Sequence, residues 1–153
     1  PRRSLPMSHF PLQPIRDLSQ LHLDEATRRL GELISGEQQA EERLRLLVEY
    51  RAEYHARFLD AAKGGLGRDI WRNFQSFLGR LDSAIDQAGA MVEASRQRTA
   101  AGKEEWIAKR GRVKAFDTLA QRHQSRVDYA ELKREQKALD EHTSQAASRK
   151  ETD

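Results

Sequence analysis

Apolar residues recur along most of this chain at alternating four- and three-residue steps. From Ala26 the step lands on Leu30, Leu33, Glu37, Ala40, Leu44, Leu47, Arg51, Tyr54, Phe58 and Ala61, and nine of these eleven positions are apolar. That spacing winds one narrow stripe along a helix, the pattern of a coiled-coil seam. Off the seam, Asp24/Arg28, Glu25/Arg29, Glu41/Arg45 and Glu53/Arg57 each place an acid four residues before a base, the favourable order on a helix face. Pro11 and Pro14 cannot sit in a helix interior, but Pro14 fits a first turn. The spacing therefore predicts a first helix over about residues 14–62.

Lys63-Gly64-Gly65-Leu66-Gly67 breaks the pattern, and Asp69 is placed to cap a new helix. From Phe74 the step gives Leu78, Leu81, Ile85, Ala88 and Val92, weakens at Ser95, Thr99 and Gly102, and recovers at Trp106, Val113, Phe116, Ala120, Val127 and Ala130. A second helix is predicted over about 69–142, with a fraying polar tail at 143–153. No stretch alternates apolar and polar residues with β-branched enrichment, so strands are not expected.

Two long helices joined by a short turn bury their stripes by lying antiparallel. The expected fold is all-α: an antiparallel coiled-coil hairpin with helix 2 projecting beyond helix 1. Pairing Phe58 with Phe74 sets a register in which facing residue numbers add to about 132. Helix 1 then runs out opposite about residue 118, and helix 2 projects roughly 40 Å further at about 1.5 Å per residue. The overhang still carries Leu119, Val127, Tyr129, Leu132 and Leu139, so it either frays or takes a partner. At mid-hairpin Glu37 faces Ser95, near Gly36, Thr99 and Gly102, a polar layer of the kind that fixes register or permits bending. Residues 1–13 are expected to be disordered, with Pro1–Pro6 read as an addition ahead of a natural start at Met7; 14–142 form one hairpin domain, with the turn at 63–68.

Composition agrees. Of 153 residues, 33% are charged and 37% hydrophobic, and the mean hydropathy is −0.85. Such a chain suits solvated helices that bury one stripe better than a globular core. The net charge of +3 is mild and does not by itself announce nucleic acid. Cysteine is absent, which excludes disulfide and thiolate chemistry. The longest run of large aliphatic residues, Leu46-Leu47-Val48, is far short of the roughly 20 residues a membrane span requires. Cytoplasm is the expected location.

Catalytic signals are missing. His9, His22, His55, His123 and His142 show no metal-ligand spacing. Glu41-Glu42 and Glu104-Glu105 are neighbours pointing to different sides of a helix, so they cannot converge on a substrate. The glycine cluster lacks the Gly-Lys-Ser/Thr that a phosphate loop needs. No cofactor, metal or small-molecule substrate is expected, and an enzyme is the most remote reading. Arg96 to Lys114 holds seven Lys/Arg against two acids; a basic coiled-coil nucleic-acid binder is a rival reading. Trp106 falls on the seam, however, which removes the obvious stacking residue, and an acidic protein groove fits the stretch better.

Near the turn the chain has more apolar surface than one seam uses. Leu47, Tyr50 and Tyr54 form an i, i+3, i+7 stripe on helix 1, and Phe77, Leu81 and Ala84 an i, i+4, i+7 stripe on helix 2. Tyr50 and Phe77 lie one position off the seam and flank it. Clustered aromatics of this kind either pack the edge of the coiled coil or serve a protein interface.

Leu30-Gly31-Glu32-Leu33, Gln38-Gln39-Ala40-Glu41-Glu42, Leu47-Val48-Glu49-Tyr50-Arg51-Ala52-Glu53-Tyr54, Trp71-Arg72-Asn73-Phe74-Gln75-Ser76-Phe77-Leu78, Leu81-Asp82-Ser83-Ala84-Ile85 and Phe116-Asp117-Thr118-Leu119 together resemble the FliJ family of flagellar type III export proteins. The likeness runs from Phe10 to about Asp140. It implies an antiparallel coiled-coil hairpin similar to the central stalk of rotary ATPases, whose termini-proximal end enters the hexameric export ATPase. It also implies contacts with the export gate membrane protein and with export chaperones. The positions matching the family's gate contact are Leu47, Tyr50, Tyr54, Phe77, Leu81 and Ala84; Arg43 and Ala88 depart from it, standing where a relative carries Gln and His. The ATPase-binding segment maps to about Leu18–Arg29, with Leu18, Leu21, Leu23, Glu25, Arg28 and Arg29 as its candidate residues. The function expected is an ATPase stalk and coupling factor in flagellar protein export, cytoplasmic and docked peripherally at the flagellar base. The equivalent stalk of a virulence injectisome is the nearest alternative.

Overall fold

The computed structural model describes residues 9–152. Two helices hold nearly all of them: α1 at Gln13–Ala62, 50 residues, and α2 at Arg68–Thr152, 85 residues. The described residues contain no strand. The described residues separate into two compact units, 24–108 and 9–23 with 109–152.

In the Asp24–Ala108 unit α1 and α2 pack antiparallel across the turn, and the heptad seam is the core. Ala26, Phe58, Phe74, Leu81, Ala88 and Val92 are buried, while Leu30, Leu33, Ala40, Leu44, Leu47, Leu78 and Ile85 are half-buried between them. Phe58 stacks on Phe74 with centroids 3.4 Å apart and planes 7° from parallel. This is the pairing from which the register was inferred. The register holds along the unit: Arg51 donates to Asp82, the Thr99 hydroxyl to the Leu33 carbonyl at 3.3 Å, and the Trp106 indole N–H to the Thr27 hydroxyl at 2.9 Å. The polar layer is present as well. Ser95 is buried and accepts from Arg98 at 3.2 Å, and Arg96 lies 3.8 Å from half-buried Glu37.

Several local expectations need correction. Ala61 is exposed and Ala62 takes the half-buried place instead, where the seam ends at the turn. Lys63, Gly64 and Gly65 N–H donate three residues back, to the carbonyls of Asp60, Ala61 and Ala62. Gly65 then takes a φ of 85°, which ends the helix where a side chain would be strained. Asp69 is not the cap. The Gly67 carbonyl accepts from Trp71 N–H at 3.1 Å, α2 starts at Arg68, and Asp69 sits inside the first turn, where its carboxylate faces the positive end of the helix dipole.

Several exposed charges take partners other than those the four-residue spacing suggests. Arg28 meets Glu32, Arg29 crosses to Glu105, Arg45 lies between Glu42 and Glu49, and Glu41 receives Arg96 from α2. Long side chains at the edge of a two-helix seam reach the opposite helix as readily as their own.

In the other unit, described over 9–23 and 109–152, Leu12, Arg16, Ser19 and Leu23 continue the stripe of α1. Val113 and Ser19 are buried, Arg16 Nε donates to Asp117 at 2.9 Å, and Phe10 packs against His123 with centroids 5.7 Å apart. Residues 9–13 were expected to be disordered. Instead Gln13 N–H bonds to the Phe10 carbonyl, and Arg16 N–H to that of Leu12, with Pro14 in the first turn as anticipated. The remainder of that segment, including Pro1–Pro6 and Met7, lies outside the described residues. α2 continues well beyond, and every residue from Glu131 to Glu151 is exposed. The helical span of α2, expected to about residue 142, extends to Thr152; no glycine or proline follows Gly111, and the Thr143 hydroxyl donates to the Leu139 carbonyl at 2.9 Å. No helix is long and apolar enough to cross a membrane among the described residues.

Candidate functional site

The six aromatic-patch positions lie together in the Asp24–Ala108 unit, but in different roles. Tyr50 is the most open at 46% exposure. Its ring meets the edge of Phe77 at 6.2 Å and 84° and lies 6.4 Å from Tyr54. Tyr54 and Phe77 are half-buried, their centroids 4.5 Å apart, and Tyr54 also stacks on Phe74 at 5.3 Å. Leu47 and Ala84 are half-buried beside them. Leu81 is buried, only 7% exposed, so it is a core knob under the patch and offers a partner almost nothing. Heptad position 81 belongs to the seam and to the flanking stripe alike, and spacing alone does not separate the two.

Each of the three rings, Tyr50, Tyr54 and Phe77, is held by at least one other ring, which limits its side-chain freedom, and Tyr50 is the one most open to water. The Arg80 guanidinium lies 5.7 Å from the Phe77 centroid, a cation–π contact that sequence spacing did not single out. Arg51, next to Tyr50 in sequence, bonds to Asp82 across the seam, and that carboxylate raises the arginine's pKa.

Next along α1, Arg45 is held between two acids. Its hydrogen bonds to Glu42 and then Glu49 raise its pKa, and the bond from Arg45 lowers that of Glu42. All three are surface groups whose main effect is to hold α1 side chains in place.

The second candidate set lies on α1 near its start. Leu18 and Leu21 are 50% and 60% exposed, together with Ile15 at 48%, which the sequence reading left out although it lies three residues before Leu18. Leu23 is half-buried. In the Asp24–Ala108 unit Glu25 is exposed, whereas Arg28 and Arg29 are engaged by Glu32 at 2.9 Å and Glu105 at 3.2 Å. The set therefore divides into exposed leucines and ion-paired arginines. Of the rival basic stretch, Arg96 is held by Glu37 and Glu41, and half-buried Trp106 is bonded to Thr27. Among the described residues, no group of three or more His, Cys, Asp or Glu could hold a metal ion.

Comparison with known proteins gives a concordant answer. Residues 7–152 match the family model described as flagellar FliJ protein. The chain is 34% identical over 142 residues to the flagellar FliJ protein of Salmonella typhi, covering 93% of this chain and 97% of that protein. It is 33% identical over 142 residues to the flagellar FliJ protein of Escherichia coli strain K12, with the same coverage.

Proposed function

The chain belongs to the FliJ family, whose members are components of flagellar protein export, and from that premise we propose that it is the central-stalk and coupling component of the export apparatus. In this reading it binds the hexameric export ATPase at the termini end and the cytoplasmic part of the export gate membrane protein at the turn end. Export chaperones are a third class of partner. It works in the cytoplasm, held peripherally at the flagellar base, and carries out no catalysis itself.

The observation that carries the reading is the ring cluster of Tyr50, Tyr54 and Phe77, pinned by mutual contacts and open on its outer side. A two-helix seam alone needs no such surface, while aromatic anchors are what protein interfaces concentrate. The exposed length of α2 from Glu131 to Glu151, where Leu132 and Leu139 are each more than 60% exposed, is the separate surface that this reading assigns to the ATPase. Both relatives are named as flagellar proteins, which favours the flagellar over the injectisome assignment. The test is direct binding of the full chain, first to the gate's cytoplasmic part and then to the ATPase, by calorimetry. The reading predicts saturable binding to each, and absence of both interactions would overturn it.

A further inference from the structure

Ile70, Phe77, Ala84 and Met91 follow one another at seven-residue intervals on α2, so they project from one side of that helix. Phe77 identifies the side, since its ring meets Tyr50 and Tyr54 of α1. Ile70 and Met91 are each 55% exposed, and on α1 the same side carries Tyr50 and the 52% exposed Leu46. A shallow depression continues from Tyr50 over Leu46 and Arg43 toward Gln39. Beside a completed two-helix seam, exposed apolar residues at heptad spacing form a second seam that a third helix would cover.

Charge selects the occupant. One heptad out from Tyr50 lie Arg43 and Arg57, one heptad beyond Met91 lies Arg98, and Arg80 sits over Phe77. Arg43 and Arg57 form no ion pair or hydrogen bond among the described residues, and Arg98 is bonded only to a serine hydroxyl. The one carboxylate on this side without a basic partner is Glu53, since Glu42 and Glu49 at its border are both held by Arg45. Two copies of so basic a face would repel, whereas acidic residues flanking an apolar stripe would be attracted.

We propose that this side of the Asp24–Ala108 unit seats an acidic amphipathic helix of the gate partner, laid along Ile70–Met91 as the third helix of a local bundle. The proposal rests on the gate reading above. It extends the contact beyond the aromatic cluster in both directions and gives the partner's chemistry.

The test measures affinity of the full chain for the gate's cytoplasmic part, with Tyr50→Ala as the reference variant. Ile70→Asp and Met91→Asp change exposed side chains, and circular dichroism checks that each stays folded. Each is expected to weaken binding about tenfold or more. Arg43→Glu combined with Arg57→Glu is expected to weaken it comparably, Arg43→Lys combined with Arg57→Lys much less, and added salt to reduce wild-type affinity. If Tyr50→Ala abolishes binding while Ile70→Asp and Met91→Asp leave it unchanged, the third-helix seat is wrong and the gate reading stands. If none of these variants, Tyr50→Ala included, alters binding, both are wrong. Charge reversal that leaves affinity unchanged or raises it would overturn the acidic partner. Self-association of the chain that is abolished by Met91→Asp would assign the face to a second copy instead.

Discussion

Leu33 occupies the space that a side chain at residue 102 would need: a Cβ on Gly102 would lie 2.5 Å from Leu33 Cδ1 and 3.8 Å from Leu30 Cδ1. A glycine inside a helix costs roughly 0.5–1 kcal/mol relative to alanine, and here alanine would have to displace the Leu33 methyl. Gly31 has nothing within 4 Å of its would-be Cβ. Gly31→Ala should therefore stabilise the chain by about 0.5–1 kcal/mol. Gly102→Ala should gain nothing, because pushing Leu33 off its rotamer costs about 0.5–1.5 kcal/mol. Denaturant unfolding of the two variants checks the contrast, and equal stabilisation by both would contradict the packing.

Phe74 has rings on several sides: Phe58, Tyr54, His55 and Trp71 all lie within 6.3 Å, centroid to centroid. In a narrow seam with little else buried, Phe74→Ala should cost about 3–5 kcal/mol, the range for a large core truncation. Tyr50→Ala, at a half-open position, should cost about 1 kcal/mol. Thermal unfolding of the pair measures the difference.

Glu42 provides a pH-dependent increment. Its carboxyl is held below the usual carboxylate range by the hydrogen bond from Arg45. A depressed folded-state pKa contributes stability above the unfolded-state value, and that stability is lost as pH falls through the folded one. The Tm gap between wild type and Glu42→Gln should thus be present at neutral pH and close on acidification through and below the carboxylate range. A gap that widens on acidification would contradict the sign.

The seam was legible in the sequence because a two-helix core is close to a one-dimensional pattern. Once the glycine turn fixed Phe58 against Phe74, the positions of Arg51–Asp82 and Thr27–Trp106 followed. Exposed ion pairs were not legible, since Arg29 and Arg96 choose acids on the opposite helix that local spacing does not reveal. The helical span of α2 reaches past the expected 142 to Thr152, because polar composition lowers the expectation of helix while no glycine or proline after Gly111 interrupts the backbone ladder. In the aromatic patch the stripe was readable, but the burial of Leu81 was not, and the exposure of Ile70 and Met91 emerged only with the second side of the seam in view.

The register also sets where α2 stands alone. It runs to Phe10 against His123, a little further than residue 118, and full exposure begins at Glu131. Truncation after Ala130 should therefore barely shift Tm, since exposed residues away from special contacts contribute within about 0.5 kcal/mol each way. A drop comparable to that of Phe74→Ala would contradict this placement.

The central claim is that gate binding and ATPase binding use separate surfaces. The most direct measurement compares wild type, the Tyr50→Ala/Phe77→Ala double variant and the truncation after Ala130, reading gate affinity and ATPase stimulation on the same preparations. Interface aromatics can each contribute about 2 kcal/mol or more, so the double variant should lose roughly a thousandfold in gate affinity at tenfold per about 1.4 kcal/mol. It should keep ATPase stimulation. The truncation should do the reverse, weakening stimulation and sparing the gate. If both variants diminish both activities in the same proportion, the two surfaces are not separate and the coupling account is wrong.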